Sequence, residues 1–219
     1  MIIDILTLFP ESFSYLNSSI LKRAQESGKI TINLIDIREF SKDKHKKCDD
    51  YPFGGGAGML MTAQPIYDAV KSVQKENSHI VFPSPSGKTL TAEKGKQLSQ
   101  YEHLIFICGH YEGIDQRILD IFSPEEISIG DYVLTGGELA SMVIIDCLSR
   151  FIEGVITKES LDEESFSSGN LEYPQYTRPQ VFEGLEVPEV LVSGNHKEIE
   201  KWRKEQSQQK TAKIRPDLL

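Results

Sequence analysis

Short apolar runs alternate with helical patterns through the first 150 residues of this chain, and this alternation constrains the fold most strongly. Strands are predicted at residues 2–9, 30–37, 79–82, 104–108 and 127–129. Helices are predicted at residues 10–28, after Thr62, and at 91–100, 114–122 and 138–152. Strands separated by helices pair in parallel, so the pattern predicts an α/β domain with helices on the faces of a parallel sheet. Residues 104–108 are continuously apolar, which is typical of a strand buried on both faces.

Changes in composition along the sequence divide the chain into three predicted segments. Residues 1–152 form the predicted α/β domain. Residues 153–177 contain few aliphatic side chains and four acids within 159–164, which predicts a mobile linker. Residues 178–219 are predicted to form a small, mainly helical domain, because Asn195 and Glu198 have the spacing of a capping box ahead of an apolar pattern.

Composition restricts the class of protein. The 24 basic and 33 acidic residues give a net charge of −9, and the three cysteines include no CxxC pair. A disulfide framework and a thiolate metal site are therefore not expected. The apolar stretches fall well short of the roughly 20 residues that cross a bilayer, and Asp4 interrupts the N-terminal apolar run. We expect a soluble protein of the cytoplasm without a membrane partner.

Three consecutive predicted strands end in loops that contain glycine, at residues 84–87, 109–113 and 129–137. Ligands of open parallel sheets bind beyond the carboxyl ends of the strands, and glycine lets a backbone approach a flat ligand closely. The loops together favour a site for an adenine-sized heterocycle, although each alone could be a tight turn. No P-loop is present, and residues 54–59 lack the third glycine of a dinucleotide-binding motif.

Five segments resemble those of the bacterial tRNA (guanine-N1)-methyltransferase family and occur in the same order. They are residues 49–59 (DDYPFGGGAGM), 108–113 (CGHYEG), 128–139 (SIGDYVLTGGEL), 173–179 (YPQYTRP) and 193–196 (SGNH). Together they extend over nearly the whole chain, and five matches at family-like spacing are far more specific than one glycine motif.

The resemblance implies an α/β fold of the SPOUT class with a trefoil knot at the C-terminal end of its methyltransferase domain. The residues alone could not have predicted the knot, because threaded chains are rare. The resemblance also implies a homodimer that binds S-adenosylmethionine in the knot loops, with the active site between subunits. By motif position the cofactor-binding residues would be Pro85, Gly109, Tyr111, Glu112, Gly113, Ile129, Gly130, Tyr132, Leu134, Gly136 and Gly137.

The expected reaction is methylation of N1 of guanosine 37 in tRNA, just 3′ of the anticodon, where another guanine precedes it. It requires a base for the N1 proton and a donor for the charge that develops on O6. The family uses an Asp immediately before Ser-Phe and an Arg in an Arg-Phe-Ile context. Arg150 matches, whereas Glu164 replaces the Asp. Glu164 is the candidate base and Asp162 its substitute.

Structural explanations exist for the same two residues. Glu164 could be a solvated acid of the linker, and Arg150 could pair with Asp146 four residues earlier on the helix. A differently targeted knotted RNA methyltransferase and a non-catalytic RNA-binding module are the alternative functions. The replacement of the family's Asp by Glu164 is the only support for the non-catalytic module.

Two basic segments are candidate contacts for the tRNA partner. Residues 22–47 contain eight basic and four acidic residues, and residues 197–217 contain seven and four. Lys44, Lys46, Lys47, Lys201 and Arg203 are the predicted substrate-binding cations. Asp50, beside Asp49, is predicted to exclude wrong RNA or to bind Mg²⁺, and the sequence does not decide between these roles. No dedicated metal site is predicted.

Overall fold

A five-stranded parallel sheet forms the centre of residues Met1–Ile156, the first of two compact units in a computed structural model. The structure describes residues 1–157, 160–161, 164–167 and 169–219. In chain order the strands of this unit are β1 (Ile2–Thr7), β2 (Thr31–Asp36), β3 (Asp49–Asp50), β4 (Leu60–Met61), β5 (Ser78–Thr89), β6 (His103–Ile107) and β7 (Glu125–Ser128). The sheet order is β2-β1-β6-β5-β7, and β3 pairs with β4 in a separate antiparallel ribbon.

The central strand β6 is buried along its whole length, as its apolar sequence predicts. Leu104 and Phe106 belong to the core on one face of the sheet, and Ile105 and Ile107 to the core on the other. Successive side chains of a strand point to opposite faces, so a strand covered on both sides needs apolar residues throughout. The predicted α/β class with a parallel sheet is confirmed.

Five helices accompany the sheet: α1 (Ser19–Glu26), α2 (Ala63–Val73), α3 (Ala92–Leu98), α4 (Gln116–Phe122) and α5 (Glu138–Ser149). The single helix predicted for residues 10–28 is wrong, because Pro10–Asn17 is a 3₁₀ helix and α1 begins only at Ser19. Ser18 is extended between them and its hydroxyl donates to the Tyr15 carbonyl oxygen. Serine side chains that bond to nearby backbone compete with a continuous helix.

The prediction that a strand ends at Phe82 is also wrong, because β5 continues to Thr89. Pro83 and Lys88 both pair with Ile127 of β7, so residues 84–87 leave the sheet and return to it. Gly87 permits the return, since a β-carbon there would lie 2.4 Å from the Glu126 carbonyl carbon. The predicted loop is therefore an excursion within one strand.

Thr157–Leu219 is the second compact unit. It contains a short hairpin of β8 (Val181–Phe182) and β9 (Leu185–Glu186), followed by α6 (Glu189–Val192), α7 (His196–Ile214) and a final 3₁₀ turn (Pro216–Leu218). Asn195 precedes α7 as expected, but its side chain makes no capping hydrogen bond. The predicted domain limits and the mobility of residues 153–177 stay predictions. Within the described residues, no helix combines the length and apolarity needed to cross a membrane.

Candidate active site

A cavity of about 470 Å³ lies beyond the carboxyl ends of β5, β6 and β7 and is here called the loop cavity. Three loops surround it, from the excursion of β5, from the turn after β6 and from the segment between β7 and α5. All the residues predicted to bind the cofactor line it: Pro85, Gly109, Tyr111, Glu112, Gly113, Ile129, Gly130, Tyr132, Leu134, Gly136 and Gly137. The sheet thus brings together three segments that are distant in sequence.

Backbone hydrogen bonds hold the loops of this cavity against one another. The Gly137 amide donates to the Gly109 carbonyl oxygen at 2.8 Å, and His110 pairs with Gly136 in an isolated bridge. The Ser128 hydroxyl bonds to both the amide and the carbonyl of Gly130. The cavity wall therefore includes hydrogen-bonded backbone as well as side chains.

The lining combines apolar side chains with few charges. Ile129, Leu134 and Pro85 offer apolar surface, and Tyr132 adds an aromatic ring that is 55% exposed. Glu112 contributes a carboxylate to the same wall. Pockets of this size and character bind small organic ligands, and this one suits a flat heterocycle attached to a positively charged group.

Sequence reasoning missed a buried polar group beside the loop cavity. Glu138, the first residue of α5, is only 8% exposed, and its carboxylate accepts a hydrogen bond from the Thr7 hydroxyl at 2.9 Å. The Thr7 hydroxyl oxygen in turn accepts from the Phe9 amide. An acid in the first turn of a helix usually faces solvent and favours the helix dipole, so the sequence carries no signal of this burial.

Arg150 lies at the opposite end of α5 from the loop cavity. It lines a separate cavity of about 210 Å³ together with Tyr15 and Asp146. Asp146 accepts a hydrogen bond from the Tyr15 hydroxyl at 2.7 Å, and this raises the pKa of Tyr15. Gly137 and Arg150 are thirteen residues apart along the helix, a separation of roughly 20 Å at 1.5 Å per residue. Arg150 therefore does not reach the loop cavity of its own chain.

Glu164 belongs to the second unit and lines a cavity of about 900 Å³ there. Tyr173, His196 and Arg203 line the same cavity. The Arg203 guanidinium lies over the Tyr173 ring, 4.8 Å from its centroid. Asp162, the substitute base, lies outside the described residues.

The predicted substrate-binding lysines of the first unit, Lys44, Lys46 and Lys47, occupy one exposed loop before β3. Lys46 is 3.5 Å from a carboxylate oxygen of Glu39. Asp50 is also exposed, and its carboxylate accepts from the Tyr51 amide. In the second unit Lys201 is exposed, whereas Arg203 is half-buried.

No cluster of three or more His, Cys, Asp or Glu side chains in the described part of the chain is arranged to hold a metal ion. Cys108 is fully buried at the end of β6, where burial raises the pKa of its thiol. A thiol held protonated in this way is a poor nucleophile. We therefore assign it a packing role.

Comparison with known proteins identifies the family. Residues 1–219 match the family model described as tRNA (Guanine-1)-methyltransferase TrmD. The chain belongs to the TrmD family. The resemblance of the five sequence segments is thereby confirmed.

Curated relatives match over all or nearly all of this chain. The tRNA (guanine-N(1)-)-methyltransferase of Caldicellulosiruptor saccharolyticus is 58% identical over 221 residues, which cover 100% of this chain and 90% of that protein. The protein of the same name from Carboxydothermus hydrogenoformans is 59% identical and covers 100% of this chain and 87% of its own length. The corresponding protein of Ruminiclostridium cellulolyticum is 56% identical, with coverage of 98% and 94%.

Proposed function

We propose that this protein transfers a methyl group from S-adenosylmethionine to N1 of guanosine 37 in tRNA. Family membership over all 219 residues supports the reaction. The observation that carries the proposal is the loop cavity, which collects every predicted cofactor residue at the carboxyl ends of three parallel strands. A site of this kind is where open α/β sheets bind their ligands.

The residues of the loop cavity fit S-adenosylmethionine. Apolar Ile129 and Leu134 suit the adenine ring, the glycine backbone suits its polar edge, and the Glu112 carboxylate suits a positive charge. When bound, the cofactor supplies an electrophilic methyl group on a sulfonium. The hydrogen bond between Gly137 and Gly109 keeps together two of the loops that would hold the cofactor.

The protein must also activate the guanine. N1 of neutral guanine carries a proton and has little nucleophilicity, so a carboxylate has to remove that proton. Glu164 takes this role, with Asp162 as the substitute. Arg150 donates to O6, where negative charge accumulates; a planar guanidinium offers two donors in fixed geometry.

Two protomers complete the site. Because α5 separates Arg150 from the loop cavity of its own chain by roughly 20 Å, a second copy has to bring its Arg150 to that cavity. Leu139 and Val143 are 59% and 46% exposed on a helix that is otherwise largely buried. A solvent-exposed apolar pair on α5 supports its use as part of the homodimer interface.

The tRNA would bind through local positive charge despite the net charge of −9. Lys44, Lys46 and Lys47 form one set of phosphate contacts, and Lys201 and Arg203 form the other. Binding should therefore weaken steeply as salt increases. Asp50 lies three residues after Lys47 and would repel misplaced phosphates. A role in binding Mg²⁺ stays a prediction, as does the cytoplasmic location.

One assay tests the proposal against its rivals. Purified protein, radiolabelled S-adenosylmethionine and undermodified tRNA are combined, and the modified nucleoside is identified and mapped. We expect 1-methylguanosine at position 37. Another methylated nucleoside would indicate a differently targeted enzyme, and tRNA binding without methylation would indicate a non-catalytic RNA-binding protein.

A further inference from the structure

The segment between β3 and β4 exposes two aromatic rings. Phe53 is fully exposed and Tyr51 is 76% exposed. Residues 51–58 are here called the aromatic loop. Single exposed hydrophobic residues are ordinary on protein surfaces, but two aromatic rings within three residues form a patch that favours a binding role.

Glycines carry the aromatic loop away from the body of the unit. Gly54, Gly55, Gly56 and Gly58 all have positive φ, between 77° and 127°. A β-carbon on Gly54 or Gly55 would meet no heavy atom within 4 Å. The Gly55 amide donates to the Pro52 carbonyl oxygen in a turn, and Phe53 lies within that turn. The ring is therefore presented to solvent by a defined backbone.

At its C-terminal end the aromatic loop leads into residues that are hydrogen-bonded to the wall of the loop cavity. The Glu112 amide donates to the Met59 carbonyl oxygen at 3.0 Å, and the Met61 amide donates to the Gly113 carbonyl oxygen at 2.9 Å. Glu112 and Gly113 both line the loop cavity. Whatever contacts Phe53 is consequently held beside that cavity.

At its N-terminal end the aromatic loop follows β3, which in turn follows the exposed loop that contains Lys44, Lys46 and Lys47. Lys42 and Lys46 are paired with Asp68 and Glu39. Lys44 and Lys47 are exposed, and no carboxylate oxygen of the described residues lies within 4.0 Å of either ammonium, although the charge of Lys47 contributes to lowering the pKa of nearby Asp43. Available cations next to exposed rings match the chemistry of single-stranded RNA, which offers phosphates and unstacked bases together.

We propose that Phe53 stacks on an unstacked base of the tRNA anticodon loop and positions that strand beside the loop cavity. Tyr51 supports the same base or its neighbour, and Lys44 and Lys47 hold the adjoining phosphates. This inference rests on the proposed function. Stacking of one base on an aromatic ring changes affinity by about tenfold or more.

Substitutions at Phe53 separate stacking from simple apolar contact. Phe53→Ala and Phe53→Leu should each raise the Kd for undermodified tRNA by about tenfold. Phe53→Trp should bind as tightly as the original chain, because it restores an aromatic face. The affinity for adenosylhomocysteine should change little in all three variants, because Phe53 does not line the loop cavity.

A fluorescence measurement reads the contact directly. Trp202 is the only tryptophan, so Phe53→Trp in a Trp202→Phe background places a single reporter on the aromatic loop. Adding tRNA should quench its emission, and adding adenosylhomocysteine alone should not. Tyr101→Trp in the same background is the control. Tyr101 lies just before β6, at the amino ends of the strands, whereas the loop cavity lies beyond their carboxyl ends.

Three results would overturn the inference. The first is an unchanged tRNA affinity of Phe53→Ala, and the second is an equal tRNA affinity of Phe53→Leu and Phe53→Trp. The third is dissociation of the dimer by Phe53→Ala, with normal tRNA affinity in the dimers that remain. The last would make the aromatic loop a contact between protomers. Failure of the unsubstituted protein to methylate tRNA would instead overturn the proposed function.

Discussion

Gly137 and Gly109 lie in direct backbone contact, and the hydrogen bond between them joins two of the three loops around the loop cavity. A β-carbon on Gly137 would lie 3.0 Å from the Gly109 nitrogen and 3.1 Å from the Cys108 α-carbon. These neighbours are backbone atoms at the end of a buried strand and cannot rotate away. The cavity therefore has its present width only while residue 137 is glycine.

Gly137→Ala should weaken binding of adenosylhomocysteine by about tenfold, because overpacking between the loops moves them apart. Isothermal titration calorimetry measures the change. Gly95→Ala is the matched control: its β-carbon would clash with Cys147 between α3 and α5, away from the loop cavity. The control should lower the Tm and leave the affinity unchanged. Equal affinities for both variants would show that the Gly109–Gly137 contact does not shape the cofactor site.

Mixed dimers test whether Arg150 acts on the partner's cavity. Arg150→Ala and Gly137→Val chains should each be inactive alone, the first for lack of the O6 donor and the second for lack of cofactor binding. If the site is shared, each mixed dimer has one intact site. Equal mixing then restores about one quarter of the original activity, because half of the dimers are mixed. If both residues act within one chain, mixing restores nothing.

Glu164→Gln should lower the single-turnover rate of methylation by at least about a hundredfold, because an amide cannot accept the N1 proton. Glu164→Asp, which has the residue type of the family, should keep substantial activity. Cofactor and tRNA affinities serve as controls for folding. A near-normal rate for Glu164→Gln would exclude Glu164 as the base and direct the same test to Asp162→Asn.

The loss of folding stability at acidic pH should depend in part on Glu125. Partial burial raises the pKa of this carboxyl, but hydrogen bonds from Lys94 at 2.6 Å and His79 at 2.8 Å outweigh that effect, and the pKa lies below its ordinary value. A lowered pKa in the folded state contributes stability above the unfolded pKa. That contribution is lost as the pH falls through the folded value.

Glu125→Gln should therefore be about 1 kcal/mol less stable than the original chain near pH 7. The difference should shrink as the pH approaches about 4 and below. Urea unfolding at several pH values measures it, with the exposed Glu93→Gln as control. A difference that stays constant with pH would mean that packing, and not the charge, accounts for the loss.

Periodicity and glycine placement were sufficient to predict the parallel sheet and the position of the loop cavity. The five predicted strands correspond to the five sheet strands. The central strand β6 is buried on both faces and is continuously apolar after His103, whereas the edge strand β2 is exposed or half-buried and its sequence alternates. The Ser18–Tyr15 bond at the split of residues 10–28 is local, but the bond from Tyr15 to Asp146 joins residues distant in sequence and was not predictable. Contacts across 131 residues leave no trace in a local pattern.

The site was predictable only in part for the same reason. Motif positions identified the residues around the loop cavity, but the separation of Arg150 from that cavity requires the observed length and direction of α5. The burial of Glu138 depends on Thr7, again a partner distant in sequence. The trefoil knot and the roles of the site residues stay predictions from family resemblance.

The excursion of residues 84–87 lines the loop cavity, and the residues on both sides of it pair with the edge strand β7. Pro83 and Lys88 are both registered on Ile127, so displacement of this excursion also loosens β7. A small molecule seated there would accordingly slow hydrogen–deuterium exchange at the amides of Ile127 and Ser128, at the margin of the sheet. Ligand binding in the loop cavity and the stability of the pairing between β5 and β7 are therefore thermodynamically linked.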